Sequence, residues 1–139
     1  MRINFAWLLG RKLEDAARQD FTWWFVFPDG SSITTDAFWR LVTPLGIEAS
    51  ASDEGQTFGL SAPFDSIARV LEATGERKII DVHLAERTSD LVLVFEGGVR
   101  IDFLNLSSGY ESWRAKHGLQ EIICMGGGRL SVRSNEKQG

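Results

Sequence analysis

The chain has 139 residues, of which 43% are apolar and 24% are charged, and 19 acidic against 15 basic side chains give a formal net charge of −4. This length suits one domain that buries its own core, and the composition excludes a collagen, a disordered tail and a strongly basic nucleic-acid binder. Cys124 is the single cysteine, which excludes an intramolecular disulfide.

The start of the chain does not resemble a signal peptide. Residues 1–10 hold one positive charge and a short apolar stretch, and the charged residues 11–15 follow without a small-residue cleavage site. No window approaches the run of about 18 apolar residues that a transmembrane helix needs. We therefore expect a soluble cytoplasmic protein.

Two stretches of the sequence recur at a nearly constant offset. Residues 11–13 (RKL) recur 66 residues later as 77–79 (RKI), and residues 25–30 (FVFPDG) recur 68 residues later as 93–98 (LVFEGG). Each copy predicts three antiparallel strands with a Gly-containing turn before the third. The predicted fold is α+β, with two antiparallel β-meanders related by internal duplication, a helix between them and a C-terminal hairpin.

The helix between the copies is predicted over residues 61–75. Pro63 suits its first turn, Asp65 suits the positive end of the helix dipole, and Gly75 suits its end. The apolar spacing predicts one buried stripe, formed by Phe64, Ile67, Ala68 and Leu71.

Residues 11–19 permit two interpretations. Their helix propensity is good, but the duplication aligns them with residues 78–84, which alternate like a strand. We favour the strand.

The C-terminal part of the chain predicts a closing hairpin. Residues 110–113 read as a loop, and two strand-like runs then flank the glycine turn 126–128. A single α+β domain is expected over residues 1–133, followed by a polar tail at 134–139.

The middle strand of each copy is apolar on both faces. Alternation along the first copy places Trp23, Phe25 and Phe27 on one face and Trp24 and Val26 on the other. Such strands need cover on both sides. Three arrangements would supply it: meanders packed on each other, a helical first segment, or a partner, which could be a second copy in a homodimer.

The residues that could in principle act in catalysis or ligand binding are predicted to have structural roles. Cys124 lies in a predicted apolar strand, where the alternation of side chains points it inward, so we expect it in the core. The glycines 126–128 precede a strand-like run rather than a helix, which favours a hairpin turn over a phosphate cradle. No cluster has metal-ligand spacing, so we expect no cofactor and no metal. An enzyme would need Glu111, His117 or Cys124 to converge in one cleft.

Charge is unevenly distributed along the chain. Residues 1–76 have a net charge of −5, residues 77–139 have +1, and residues 41–68 hold four acids and no base. An acidic loop over residues 48–61 could steer a basic partner, and tryptophans are common interface anchors. The candidate partner-binding residues are Asp29, Asp36, Trp24, Trp39, Glu48, Asp53 and Glu54.

Three motifs carry a family resemblance. Residues 93–101 (LVFEGGVRI), the run 110–113 (YESW) and residues 123–130 (ICMGGGRL) resemble a family of small uncharacterised bacterial proteins, and these in turn resemble the immunity proteins of polymorphic toxin systems. The resemblance covers residues 9–132, although Met125 stands where a proline is common.

The resemblance implies a cytoplasmic, non-enzymatic protein that binds and inhibits a cognate bacterial toxin. It implies no catalytic residues, and we expect neither a nucleic-acid nor a membrane partner. The alternative is a small-ligand-binding domain with an apolar pocket between the helix and the sheet.

Overall fold

Eleven strands and one α-helix make up the fold of residues 3–134, the part of the chain that this computed structural model describes. The strands are β1 (Asp15–Gln19), β2 (Thr22–Val26), β3 (Ser32–Thr35), β4 (Trp39–Thr43), β5 (Gly46–Ser50), β6 (Ile79–Leu84), β7 (Leu91–Phe95), β8 (Arg100–Phe103), β9 (Trp113–His117), β10 (Gln120–Cys124) and β11 (Leu130–Ser134). The helix α1 is Ser66–Thr74.

The strands form two antiparallel sheets that exchange strands between the two copies. Sheet one has the order β1-β2-β3-β9-β10-β11, and sheet two has the order β5-β4-β8-β7-β6. The meander β1–β3 lies in sheet one, but the following hairpin β4–β5 crosses to sheet two, where β4 pairs with β8. The meander β6–β8 lies in sheet two, and β9 crosses back to pair with β3. The predicted α+β fold, with its helix between two meanders and its closing hairpin β10–β11, is confirmed.

The internal duplication is visible in the register of the exchanged strands. Trp39 of β4 lies opposite Phe103 of β8, and Trp113 of β9 lies opposite Thr35 of β3. Thr35 and Phe103 are 68 residues apart, which is the offset of the sequence repeat. The two tryptophans therefore begin equivalent strands in the two copies.

The repeated arginines hold equivalent turns of the two meanders. Nη1 of Arg11 donates to the backbone oxygen of Pro28 at 2.7 Å, and Nη1 of Arg77 donates to that of Glu96 at 3.2 Å. Both carbonyls lie in the turn between the second and third strands of a meander. The arginine of each repeat thus fastens the chain before the first strand to that turn.

The core lies between the inner faces of the two sheets. The middle strands and the residue that follows β2 contribute buried apolar side chains to it, namely Trp23, Phe25, Phe27, Leu91, Leu93 and Phe95. The ring of Phe25 packs edge to face on Phe103 at 5.0 Å and on Trp39 at 5.3 Å. Of the three arrangements expected for these strands, packing of the meanders on each other covers the inner faces. The outer face of β2 stays open, and Trp24 is 41% exposed.

The helix is shorter than predicted. It begins after Asp65, whose carboxylate accepts a hydrogen bond from the backbone N–H of Ala68 at 3.0 Å, and Gly75 follows its last residue. Asp65 is therefore the N-cap rather than a residue of the first turn, because its extended backbone stops the helix from starting earlier.

Of the predicted stripe, Phe64, Ile67 and Leu71 are partly buried and pack against the core, and only Ala68 does not. Ser66, Val70 and Thr74 are buried, whereas Ala68 is exposed. The helix packs against the edge strands β1 and β5, and Oγ of Ser66 donates to the backbone oxygen of Ser50 at 2.8 Å. Ser66 thereby satisfies a backbone group at the end of β5, whereas the hydroxyl of Thr74 donates to the backbone oxygen of Val70 within the helix at 2.8 Å.

The favoured strand interpretation of residues 11–19 is confirmed by β1. Two predicted boundaries are wrong. Trp113, expected in a loop, begins β9 opposite Thr35, and Ser134, expected in the tail, ends β11 opposite Gln120. The remainder of the predicted tail, residues 135–139, lies outside the described residues, as do the first two residues.

The glycine run 126–128 forms the hairpin turn between β10 and β11, as predicted. Gly127 has a φ of 81° and Gly128 has a φ of 98°. Residues that carry a side chain rarely adopt such angles. A Cβ at Gly128 would also clash with the backbone oxygen of Arg87. The run therefore has a structural role.

A buried carboxylate joins the two copies on the outer face of sheet two. Asp102 of β8 is 2% exposed. Nε of Arg40, on β4, donates to its Oδ2 at 2.7 Å, and Nε of Arg100 donates to its Oδ1 at 3.0 Å. The pair of Arg40 and Asp102 therefore links β4 to its exchanged neighbour β8.

We predict that Asp102→Asn lowers the free energy of unfolding by about 1–2 kcal/mol, because charge-assisted hydrogen bonds are lost at a buried position. The matched control is Asp29→Asn, since Asp29 pairs with Arg11 at 2.9 Å but has a side chain that is 75% exposed. Its cost should stay below about 0.5 kcal/mol. Urea denaturation measures both, and equal costs would contradict the structural role of Asp102.

The two equivalent tryptophans give a second matched pair. Both are buried, but Nε1 of Trp113 donates to the backbone oxygen of Ser89 at 2.9 Å, whereas Nε1 of Trp39 has no hydrogen-bond partner in residues 3–134. We predict that Trp113→Phe destabilises the protein by about 1 kcal/mol more than Trp39→Phe, because a buried hydrogen bond is lost only in the first case. The difference is measured by urea denaturation, and a larger cost for Trp39→Phe would refute it.

Candidate functional site

Both strand exchanges take place at the same end of the two sheets, which we call the crossover end. Residues 36–38 lead from β3 to β4, and residues 104–112 lead from β8 to β9. The two connections touch, since the backbone N–H of Leu104 donates to the oxygen of Phe38 at 3.0 Å. Because neighbouring strands are antiparallel, the β1–β2 turn, the β6–β7 turn and residues 51–65 lie at this end too.

The exposed aromatic side chains of the protein gather at the crossover end. Within residues 3–134 they are Phe21, Trp24, Phe38, Phe58 and Tyr110. Four of them lie in the connections and turns of this end, and Trp24 lies on the adjacent part of β2. The exposed large side chains elsewhere, such as Leu45 and Leu119, are aliphatic. Exposed aromatic residues are typical of protein interfaces.

A cleft of about 440 Å³ opens at this end on the outer face of sheet one. We call it the aromatic–acid cleft and define it by Trp24, Asp36, Tyr110, Glu111 and Arg114. Trp24 of β2 and Arg114 of β9 both lie opposite Thr34 of β3, so the sheet register places them in one row. Tyr110 and Glu111 come from the second connection, and Asp36 comes from the first.

The aromatic–acid cleft has a net negative charge. Glu111 is paired with Arg114 at 2.8 Å. The carboxylate of Asp36 accepts a hydrogen bond from Oγ1 of Thr22 at 2.5 Å, and it forms no salt bridge within residues 3–134. Two carboxylates and one guanidinium leave one negative charge that favours a cation.

A second groove, of about 350 Å³, lies at the crossover end beside β4 and β5 of sheet two, and Asp53 is among its lining residues. We call it the apolar groove and define it by Phe38, Ile47, Leu104 and Leu106. Leu104 follows β8 as Asp36 follows β3, 68 residues earlier. The equivalent positions 36 and 104 therefore line different clefts, an acidic and aromatic one in the first copy and a largely apolar one in the second.

Of the seven predicted partner-binding residues, Trp24 and Asp36 meet in the aromatic–acid cleft. Asp53 and Glu54 lie at the same end and stabilise the chain after β5. The carboxylate of Asp53 accepts from Oγ of Ser50 at 3.0 Å, and that of Glu54 accepts from the backbone N–H of Ser66 at 3.1 Å.

The predicted acidic loop begins later than expected, because Glu48 belongs to strand β5. Its side chain lines a cleft of about 400 Å³ beside the helix, together with Arg69, Glu72 and Arg77. These charged walls differ from the apolar pocket expected in the alternative of a small-ligand-binding domain.

Two predicted residues are not exposed on this surface. Asp29 is in the β2–β3 turn, at the opposite end of the sheets, where it pairs with Arg11. Trp39 is 1% exposed and packs edge to face on Trp23 at 5.0 Å. The expectation of an exposed Trp39 is wrong, because the alternation of β4 turns its ring into the core.

Sequence reasoning missed Phe38, Tyr110 and Leu106 as surface residues of this end. A signal was present, since each is a large apolar residue inside a stretch that the repeat does not cover. Their neighbourhood depends on the strand exchange, which the sequence pattern does not show.

The three residues named for an enzyme do not converge. Glu111 precedes β9 and His117 is its last residue, so at about 3.3 Å per residue the strand separates them by more than about 13 Å. His117 stacks on Trp7 at 4.6 Å, with Nδ1 2.9 Å from Oγ of Ser31. Cys124 is buried, and burial raises the pKa of its thiol.

No group of three His, Cys, Asp or Glu side chains in residues 3–134 is arranged to hold a metal ion. In the same part of the chain, no helix has the length and apolar character needed to cross a membrane.

Comparisons with known proteins add no relative, because no family model, curated protein or solved structure matches this chain. The resemblance to immunity proteins therefore depends on the sequence motifs alone.

We predict that Cys124 reacts slowly with a thiol reagent such as DTNB in the folded protein and quickly after unfolding in urea. Burial blocks access, and the raised pKa of the thiol keeps it protonated to higher pH than in the unfolded chain. The folded state therefore loses stability as pH rises above the ordinary thiol pKa of 9.0. Reaction of the native protein at the rate of a free cysteine peptide would refute this assignment.

Proposed function

We propose that this chain is a non-enzymatic protein-binding protein that binds and inhibits a bacterial toxin, and that the crossover end is its binding surface. The observation that supports this most strongly is the gathering of the exposed aromatic side chains at that end. The proposal places the protein in the cytoplasm, where it meets its toxin.

The two clefts of the crossover end suit complementary parts of a partner. The apolar groove would bury an apolar side chain, which is favourable in proportion to the area removed from water. The aromatic–acid cleft would attract a basic side chain, because Asp36 has no cation partner in residues 3–134. Together they supply an apolar contact and an electrostatic one, the usual division of a protein interface.

Inhibition would be steric and electrostatic. A protein bound over the active site of a toxin excludes the substrate. If the toxin is a nuclease, the carboxylates of Asp36 and Asp53 would take the place of the phosphates of its nucleic-acid substrate. The net charge of −5 on residues 1–76 would add long-range attraction toward such a basic site.

The test is co-expression with the product of the adjacent upstream gene, with growth rescue and co-elution on a sizing column as readouts. We predict that wild type rescues growth and that Leu106→Asp, in the apolar groove, weakens the complex at least about tenfold, since it puts a charge where an apolar contact forms. The matched control is Leu119→Asp in the β9–β10 turn at the opposite end. Leu106 is 68% exposed and Leu119 is 53% exposed, so neither change should unfold the protein.

Two results would contradict the proposal. If the adjacent gene product is not toxic and forms no complex with this chain, the proposal loses its basis. A complex that Leu119→Asp weakens and Leu106→Asp leaves intact would move the binding surface to the other end of the sheets.

A further inference from the structure

We infer that the aromatic–acid cleft is a binding site for one arginine side chain of a protein partner. The inference rests on the proposed function and names the side chain that the cleft recognises. It is argued from Trp24, from the Asp36 carboxylate and from their spacing.

The side chain of Trp24 is 41% exposed. Its cross-strand neighbours are the small residues Ala17 on β1 and Thr34 on β3, neither of which can cover an indole. The adjacent Trp23 is different, because the guanidinium of Arg18 lies 4.8 Å from its ring centre. No arginine or lysine of residues 3–134 stacks on Trp24 or on Tyr110. The protein thus covers one tryptophan with its own arginine and leaves the next one free.

The free carboxylate lies close to this exposed ring. Thr22 and Trp24 are two residues apart on β2, so their side chains lie on the same face about 6–7 Å apart along the strand. The hydroxyl of Thr22 holds Asp36 through Oδ1, which leaves Oδ2 without a hydrogen bond from residues 3–134. Arg114 holds Glu111 on the far side of the row. A cation that lies over Trp24 can therefore reach Asp36.

Arginine fits this arrangement better than lysine. Its planar guanidinium can stack on the indole with one edge toward a carboxylate and keep both interactions at once. A lysine ammonium is a strongly hydrated point charge, which would lose water to make the same contacts. The net negative charge of the cleft opposes an anionic ligand.

The experiment titrates the full chain with N-acetyl-arginine amide and follows the indole N–H signal of Trp24 by NMR, assigned with Trp24→Phe. We expect saturable binding that shifts this signal. Asp36→Asn should weaken binding by about fivefold, the size expected for a partly exposed ion pair. The control Asp29→Asn, which changes a carboxylate at the opposite end, should leave the affinity unchanged. Urea denaturation confirms that each variant is folded.

Two further probes test whether binding needs both the charge and the planar shape of the guanidinium. N-acetyl-citrulline amide keeps the shape without the charge, and N-acetyl-lysine amide keeps the charge without the plane. Weaker binding of both supports the inference. Equal binding of either one, or no shift of the Trp24 signal with the arginine probe, overturns it.

The outcome separates the inference from the proposed function. If the arginine probe fails while Leu106→Asp still weakens the complex with the co-expressed partner, the crossover end binds without an arginine in this cleft. If the probe binds but no complex forms with that partner, the arginine site stands and the toxin assignment fails.

Discussion

Each three-stranded meander of this protein has an apolar inner face that it cannot bury alone, and the fold follows from that constraint. Packing one meander on the other covers Phe25 and Leu93, which lie at the centres of their middle strands. The exchange of β4 and β9 then joins each sheet through hydrogen bonds to the other copy. The two copies therefore share one core and pair their strands with each other, so neither copy forms a closed unit without the other.

The exchange also determines where the exposed aromatic side chains gather. Two connections must pass between the sheets, and both do so at one end, so this end is built of loops rather than paired strands. Loops tolerate large exposed side chains that strands would turn into the core or pair across a sheet. The equivalent residues Asp36 and Leu104 line an acidic cleft and a largely apolar groove, so this end presents both a charged and an apolar surface.

Much of the fold could be predicted because its signals are local. The repeat of Arg11 as Arg77 and the shared turn motifs indicated two similar units, and alternation correctly placed Phe25 and Cys124 inside. The helix start was misplaced because a proline and an acid both suit a first turn, and only the side-chain hydrogen bond of Asp65 to Ala68 decides between them. Trp39 was expected to bind a partner because tryptophans are common interface anchors, but strand alternation turns its ring into the core.

The sequence by itself determined the elements, the duplication and the excess of acids in the first half, because these depend on residue type and spacing along the chain. Only the tertiary structure decided which elements became neighbours. The union of Trp24, Asp36 and Tyr110 in one cleft depends on the exchange of β9 into sheet one, which brings residues about 75 to 85 positions apart into contact range. No local pattern encodes such a contact, because it arises from burying the apolar faces of both meanders in one core.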